Sequence, residues 1–190
     1  MKKILQKKSK VLREKAKEVP LTDIKKSKIQ KILGEMSEAL ASQNDGVAIA
    51  APQIGYSLRI FVVSGKVFSR DFLEPKTTKT EEELLNENNL VNTEEEKIIK
   101  DMVFINPKIS KLSREKEWLP EGCLSVRPFY GKTWRSKKAT VTAHDENGKK
   151  FTRGASGLLA QIFQHETDHL EGILFIDHAK DVKEETLIQS

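Results

Sequence analysis

Residues 163–172 of this chain read FQHETDHLEG, and this short stretch constrains the protein more than any other. It places His165 and His169 four positions apart, with Glu166 directly after the first histidine. On a helix, residues four positions apart share one face, so both rings can direct a nitrogen at one metal ion while the glutamate lies beside it. On the order of a hundredth of a match to this pattern is expected by chance at this chain's histidine and glutamate content. The stretch therefore predicts a metal site with an adjacent carboxylate.

The surrounding segment, residues 154–171, has the apolar pattern of a buried helix. Its large apolar side chains cover most of the helix circumference: Leu158, Leu159, Ile162, Phe163 and Leu170. A helix that is apolar on most sides is usually enclosed by the rest of the protein. Polar groups without partners are costly in such surroundings. The motif residues therefore need either a metal ion or hydrogen bonds within the core.

Two histidines do not complete a catalytic site, because a tetrahedral one takes about three protein ligands and a water. The single cysteine, Cys123, is the first candidate for the third ligand. A lone cysteine is most often a small buried residue, but beside an incomplete histidine pair the metal interpretation is favoured. Glu171 competes as a carboxylate ligand. His144 and His178 are weaker candidates, since they lie in a polar hairpin and in the C-terminal tail.

The composition is that of a globular protein, with 37% hydrophobic and 32% charged residues in a chain of 190. This length predicts one domain, residues 1–190. No apolar run approaches the roughly 18 residues of a membrane span, and the N-terminal MKKILQKKSK lacks the apolar stretch of a signal peptide. We therefore expect a cytoplasmic protein. The net charge of +5 lies in lysine-rich segments without interleaved aromatic residues, so no specific nucleic-acid site is expected.

Local patterns predict an early helix, several strands and one insertion. An amphipathic helix is expected over residues 22–43, capped by Thr22 and broken at 44–46. Alternating or apolar strand-like segments follow at 58–63, 102–113, 115–126 and 137–154. The last of these is a hairpin that turns at Glu146-Asn147-Gly148. The acidic, polar residues at about 64–101 are expected to form a surface insertion, partly helical or mobile.

Three separated motifs make the chain similar to a known family. GVAIAAPQ at residues 46–53, EGCLS at 121–125 and QHETDH at 164–169 resemble, in order and spacing, the motifs of the peptide deformylases. The similarity covers most of the chain outside the insertion. It implies an α+β fold, with antiparallel and mixed sheets around a central helix that carries the HExxH motif and with the N-terminal helix packed outside.

The resemblance also implies a chemical activity. Enzymes of this family remove the N-formyl group from the initiator methionine of nascent polypeptides and release formate. Cys123, His165 and His169 would bind one divalent metal ion, usually Fe²⁺ in this family, with Zn²⁺, Ni²⁺ or Co²⁺ able to occupy the site. Glu166 would act as general base toward water and as general acid toward the leaving amine. The partners would be N-formyl-methionyl nascent peptides, with transient ribosome association.

Further residues follow from the family motifs. The Gln53 side-chain amide and the Leu124 backbone N–H would stabilise negative charge on the formyl oxygen. The substrate backbone would add as a strand along GVAIA. The implied substrate-binding residues are Val47, Ala48, Glu121, Gly122, Leu158 and Ile162. Among them, Glu121 is at least as well suited to holding a neighbouring group in place.

The chain departs from the family pattern at two places that concern substrate binding. Ala48 stands where the first motif usually has glycine, so one methyl group faces the expected path of the substrate backbone. After EGCLSV the family usually has proline and then a substrate-contacting arginine. Here Arg127 and Pro128 are displaced from those positions, so that arginine is assigned to no residue. These departures predict altered peptide preference with intact chemistry.

Two other classes of function remain open. A zinc endopeptidase would use the same histidine helix, but such enzymes seldom have cysteine as the third ligand. A non-catalytic module would keep the fold and bind ribosomes or other partners through its basic ends. The presence of Glu166 argues against that second alternative.

Overall fold

The computed structural model describes residues 1–69 and 99–184, which form two α-helices and eight β-strands in an α+β arrangement. The helices are α1 (Ser27–Ala41) and α2 (Gly157–Leu170). The strands are β1 (Ala48–Ala50), β2 (Ile60–Val63), β3 (Met102–Leu112), β4 (Lys116–Gly122), β5 (Phe129–Ser136), β6 (Lys138–His144), β7 (Lys150–Ser156) and β8 (Lys180–Glu184).

The strands form two antiparallel sheets. One has five strands in the order β1-β2-β3-β6-β7, and the other has three in the order β4-β5-β8. Strands β1 and β4 are therefore edge strands, a position at which an extended peptide can add to a sheet. Two of their backbone groups already bond side chains, since the Ala50 N–H donates to Gln53 and the Pro120 carbonyl accepts from Gln161.

Of the expected antiparallel and mixed pairing, the named strands show only the antiparallel kind. The parallel pairing in the described residues is one isolated bridge, Lys17 to Leu58.

Helix α1 buries one apolar face against the five-stranded sheet. That face contains Ile29, Ile32, Leu33, Met36, Ala39 and Leu40. The helix starts at Ser27, later than expected, because Leu21–Asp23 form a separate 3-10 turn. The Thr22 hydroxyl bonds the neighbouring Asp23 carboxylate, 3.2 Å away, and so does not cap the helix.

Helix α2 contacts strands of both sheets and carries the HExxH motif. It starts three residues later than expected, because residues 154–156 continue β7, and Gly157 (φ 56°) then turns the chain into the helix. Leu158 in its first turn is 40% exposed, so the burial expected for this helix begins only after Leu158. Further along, Gln164 bonds the backbone N–H and carbonyl of Ser136, which ties α2 to the end of β5.

Aromatic packing fixes α2 on the five-stranded sheet. Phe61 and Phe104 stack with ring centroids 4.5 Å apart, and Phe163 of α2 meets Phe104 edge-on at 5.2 Å. All three side chains are fully buried. Removing one such ring typically costs about 3–5 kcal/mol. This contact holds the histidine-bearing helix at a fixed height above the sheet.

Three strands lie outside the strand segments expected from the sequence: β1, β5 and β8. In β5, the buried positions include Thr133 and Arg135, so the strand lacks an alternating apolar pattern. In β8, every residue is exposed. The hairpin at 146–148 is confirmed, with Gly148 in a left-handed conformation. Of the expected insertion, residues 65–68 form a 3-10 turn, and residues 70–98 lie outside the described part of the chain.

Neither helix in the described residues has the length and apolar character needed to cross a bilayer.

Candidate metal centre and active site

The described residues bring one cysteine and two histidines together. Cys123, directly after β4, lies beside His165 and His169 of α2, and their ligand atoms are all within 4.8 Å of one another. The Cys123 Sγ is 3.2 Å from His169 Nε2. It also accepts a hydrogen bond from the Ser125 backbone N–H at 3.4 Å. A thiolate and two imidazoles form a donor set that suits Fe²⁺, Zn²⁺, Ni²⁺ or Co²⁺.

The two histidine rings differ in their surroundings. His165 Nδ1 is 2.7 Å from the Glu121 carboxylate, so the ring donates there and presents Nε2 to the cluster. Burial opposes a charge on this ring, but hydrogen bonds to Cys123 and Glu121 raise its pKa well above the ordinary value, so metal binding would displace a proton from Nε2. His169 is 1% exposed, and burial lowers its pKa well below the ordinary value. Its ring is therefore neutral at pH 7, as a ligand must be.

A buried network holds Glu121 under His165. Arg135 donates to both Glu121 oxygens, at 3.0 and 2.7 Å, and Thr133 donates at 2.6 Å. Arg135 also pairs with Asp168 at 2.6 Å. Burial alone would raise the pKa of Glu121, but hydrogen bonds from His165 and Arg135 hold that pKa below its usual range. Glu121 is therefore a carboxylate at neutral pH and fixes the orientation of His165.

We expect Glu121→Gln to destabilise the fold by about 3 kcal/mol at neutral pH, because it leaves the buried Arg135 charge with a weaker partner. The native pKa of Glu121 is lowered, so its carboxylate stabilises the fold at pH values above the unfolded pKa of about 4.5. Below that pH the unfolded chain binds a proton that native Glu121 does not, so the stability difference between variant and parent should shrink. Urea unfolding at several pH values measures this. The control is Glu117→Gln on the same strand, whose carboxylate lies 4.0 Å from Lys137 at the surface. Equal losses in both variants would contradict the prediction.

Glu166 lies on α2 between the two histidines and lines a cavity that opens beside them. It is 3% exposed, and burial raises its pKa to about 7. Among the described residues, its Oε2 atom has no hydrogen-bond partner. A buried carboxylate with a free oxygen and a pKa near 7 can accept and return a proton at neutral pH.

The side chain of Gln53 is held in one orientation. Its Oε1 accepts from the Ala50 backbone N–H at 2.7 Å, which leaves the amide nitrogen directed toward the metal centre. That nitrogen donates to Ser125 Oγ at 3.1 Å and lies 3.7 Å from Cys123 Sγ. Ser125 is fully buried and was not singled out from the sequence, although it belongs to the EGCLS motif.

One cavity of about 300 Å³ opens beside the metal centre. It is lined by all six residues expected to bind substrate: Val47, Ala48, Glu121, Gly122, Leu158 and Ile162. Gln53, Leu124 and Glu166 share it. A Cβ at Gly122 would lie 2.4 Å from the Tyr130 ring, so this wall requires glycine. The lining therefore combines apolar side chains with the groups expected for chemistry.

Other cavity residues were not expected to contribute. Tyr130 and Pro120 line it from the second sheet, and Asp45 and Arg127 form an ion pair at its edge. Leu124 directs its carbonyl to Gln6 Nε2, 3.1 Å away. Arg127 was noticed in the sequence as displaced from the position of the family's substrate-contacting arginine. Its position relative to the cavity depends on how the chain turns after β4.

The competing ligand candidates lie elsewhere in the described residues. Glu171 pairs with Arg59 at 2.6 Å and with Lys15 at 3.0 Å. His178 lies 3.9 Å from Asp168, and His144 ends β6. None of them belongs to the Cys-His-His cluster.

A Cys-His-His cluster beside a buried glutamate, on an α+β fold, is the arrangement of a metal-dependent hydrolase. A family model described as polypeptide deformylase matches residues 1–185. Peptide deformylase 2 of Clostridium acetobutylicum is 38% identical over 167 residues, which cover 88% of this chain and 87% of that protein. The chain belongs to the polypeptide deformylase family, hydrolases that remove the N-formyl group from nascent peptides.

Solved structures agree with this assignment. A probable peptide deformylase from Synechococcus phage S-SSM7 has a TM-score of 0.70 and 32% identity, over 94% of this chain and 99% of that one. A class I type b peptide deformylase from Acinetobacter baumannii, bound to Met-Ala-Ser, has a TM-score of 0.73 and 26% identity, over 94% and 99%.

Proposed function

We propose that this chain removes the formyl group from N-formyl-methionyl nascent polypeptides, with one divalent metal ion held by Cys123, His165 and His169. The observation that carries the proposal is the convergence of these three ligand atoms within 4.8 Å beside a cavity. Fe²⁺ is the ion expected from the family resemblance. When bound, a divalent ion lowers the pKa of a water ligand from about 15.7 toward 7 and polarises a carbonyl oxygen.

The chain's own residues would divide the remaining work. Glu166 takes a proton from water and later gives one to the leaving amine, for which its pKa of about 7 is suited. Gln53 directs its amide nitrogen at the developing charge on the formyl oxygen, with the Leu124 backbone N–H as a second donor. Glu121 keeps the His165 ring in place throughout.

The substrate would lie between the two sheets. The cavity is lined by residues of edge strands β1 and β4, so an extended peptide can pair with Val47 and Ala48, at the start of β1. The methionine side chain then enters the apolar part of the cavity at Leu158 and Ile162. The Met-Ala-Ser tripeptide of the A. baumannii structure is what such a reaction would release from formyl-Met-Ala-Ser.

Three wider expectations belong to the same proposal. Residues 1–190 form one catalytic domain, with the acidic segment at about 64–101 as an insertion beside it. We also expect helix α2, which contacts strands of both sheets, to be the central element of the fold. Transient ribosome association through the basic ends stays a prediction.

Formate release tests the proposed function. Anaerobically purified protein is incubated with formyl-Met-Ala-Ser, acetyl-Met-Ala-Ser and the unblocked peptide, and products are measured by mass spectrometry. We expect formate from the first peptide alone, one equivalent of bound metal, and loss of activity after chelation. Cleavage inside the peptide irrespective of its cap would favour an endopeptidase, and metal-loaded protein inert on formyl peptides would refute the proposal.

Replacing Gln53 with alanine should lower kcat by about 100- to 1000-fold, the usual effect of losing one donor to a developing oxyanion. Metal content should not change, because the Cys-His-His ligands remain. Steady-state formate release and elemental analysis measure the two quantities. Gln43→Ala is the matched control, because Gln43 is a half-buried residue after α1 that does not line the cavity. A Gln53→Ala enzyme with parental kcat would remove Gln53 from the mechanism.

The methyl group of Ala48 gives a test of peptide binding. Ala48 is 6% exposed and lies at the edge strand where the substrate backbone is expected. Ala48→Gly should lower KM for formyl peptides and leave kcat unchanged, because it removes a contact on the substrate path without touching the ligands. An unchanged KM would show that this methyl group does not meet the substrate.

A further inference from the structure

The outer face of the three-stranded sheet carries both tryptophans of the chain. Trp118 of β4 and Trp134 of β5 are directly paired across the strands, with ring centroids 5.2 Å apart. They are 41% and 48% exposed, respectively. A cross-strand aromatic pair stabilises a sheet, but that role alone does not require two indoles this exposed. We name this surface, together with the lysines around it, the Trp–Lys face.

Four exposed lysines surround the two indoles and come from all three strands: Lys116, Lys132, Lys180 and Lys183. Directly paired residues lie on the same side of an antiparallel sheet. Lys132 pairs with Lys180, and Tyr130 pairs with Lys183. Tyr130 and Lys132 are two residues apart on β5 and so share a side of the sheet, which places all three lysines on that side. Lys180 places its Nζ 4.8 Å from the centre of the Trp118 ring, which joins both indoles to this side.

Few carboxylates oppose this charge. Asp181 lies 3.4 Å from Lys132. Glu117 and Glu121 alternate with Trp118 along β4 and therefore belong to the opposite side, where Glu121 meets Arg135. Glu184 pairs with Phe129, which also lies on that opposite side. In the described part of the chain, four lysines and two indoles thus share a face with one acidic side chain.

We propose that the Trp–Lys face binds a single-stranded nucleic acid, with bases stacked on Trp118 and Trp134 and phosphates along the lysines. Exposed aromatic rings beside a row of cations are the two parts of a surface that binds single strands without sequence preference. An acidic peptide would satisfy the lysines but would make no use of two flat rings side by side. No such site was expected from the sequence, because the lysine-rich segments lack aromatic residues, whereas the sheet brings residues from separate segments together.

This activity goes beyond deformylation and does not depend on it. Glu121, which orients His165, lies on the opposite side of β4 from Trp118. The two indoles, Lys116 and Lys132 are also absent from the lining of the cavity. Variants of the Trp–Lys face should therefore release formate from short peptides at the parental rate. Formate release then reports correct folding in every variant, and nucleic-acid binding is measured separately.

Intrinsic fluorescence is a direct probe, because Trp118 and Trp134 are the only tryptophans of the chain. We expect short oligouridylate to quench the emission in a saturable way, with an affinity that falls as salt rises. Oligothymidylate should behave similarly. Polyglutamate of matched length should cause no saturable quenching. Quenching by polyglutamate at equal concentration would overturn the proposal in favour of an acidic protein partner, and no quenching by either oligonucleotide at low salt would also overturn it.

Variants separate stacking from general charge attraction. Trp118→Ala and Trp134→Ala each leave one reporter indole, and each should weaken oligouridylate binding by about 5- to 150-fold. Lys116→Glu with Lys132→Glu should weaken it and flatten its salt dependence. The matched control is Lys25→Glu with Lys28→Glu, exposed lysines before and within α1. Equal weakening by both lysine pairs would show attraction to net charge alone and would refute the site. Fluorescence anisotropy of labelled oligouridylate gives the same affinities if an indole variant emits weakly.

Discussion

Glu166→Gln is expected to reduce formate release from formyl-Met-Ala-Ser by about 100- to 10,000-fold, the usual contribution of a positioned general base and acid. The reason lies in the surroundings of this carboxylate. It faces the cavity beside both histidines, its Oε2 has no partner among the described residues, and burial raises its pKa to about 7. An amide of the same shape cannot take a proton from water.

The same substitution should not destabilise the protein. Burial raises the native pKa of Glu166 from 4.5 to about 7, because the buried charged form is disfavoured. The folded protein therefore loses stability as pH rises through about 7 and this carboxyl group is forced to ionise. In metal-stripped protein above neutral pH, Glu166→Gln should therefore unfold at the parental temperature or higher. This result would separate a chemical role from a structural one.

Two measurements complete the test of Glu166. Metal content, measured by elemental analysis, should equal that of the parent, because the Cys-His-His ligands are untouched. Glu171→Gln is the control, since this carboxylate follows α2 but pairs with Arg59 and Lys15 away from the cavity. A Glu166→Gln enzyme that keeps parental kcat would refute the assignment of the base.

Cys123→Ala should abolish both metal retention and activity. Two imidazoles alone hold a divalent ion weakly, because a stable catalytic site needs about three protein ligands. We expect close to one equivalent of metal in the parent and almost none in the variant after dialysis against a mild chelator. A variant that kept one equivalent with parental affinity would show that sulfur is not a ligand.

The single cysteine also allows a direct chemical readout. A thiol reagent should modify Cys123 in chelated protein and react slowly in metal-loaded protein, since a coordinated thiolate is a poor nucleophile. His165→Ala should lose metal as well, whereas His178→Ala should retain it, because His178 lies outside the ligand cluster. Equal protection with and without metal would contradict the proposed coordination.

Much of the candidate site could be predicted because its parts lie in short contiguous motifs. The spacing of His165 and His169 required a helix, and α2 supplies it. The family resemblance also named Cys123, Gln53 and six cavity residues, all of which the fold brings together. Their roles in metal and substrate binding stay predictions until the variants are measured.

The helix and strand boundaries were less predictable. Thr22 is a good capping residue by type, yet the chain forms a 3-10 turn there, and α1 starts at Ser27. Strand β8 has no apolar pattern in its sequence, because all of its residues are exposed. It is a strand only because its backbone pairs with β5. Local propensity carries little information where tertiary pairing decides the conformation.

The sequence by itself determined the ligand types, the helical spacing of the histidines and the family of the chain, because these depend on residue identity over a few neighbouring positions. Only the tertiary structure decided which groups support them. Arg135 looks like a surface charge in sequence, yet it lies buried between Glu121 and Asp168. The two tryptophans and the lysines beside them come together only because β4, β5 and β8 pair. Contacts between distant residues follow from strand register, which a local pattern does not encode.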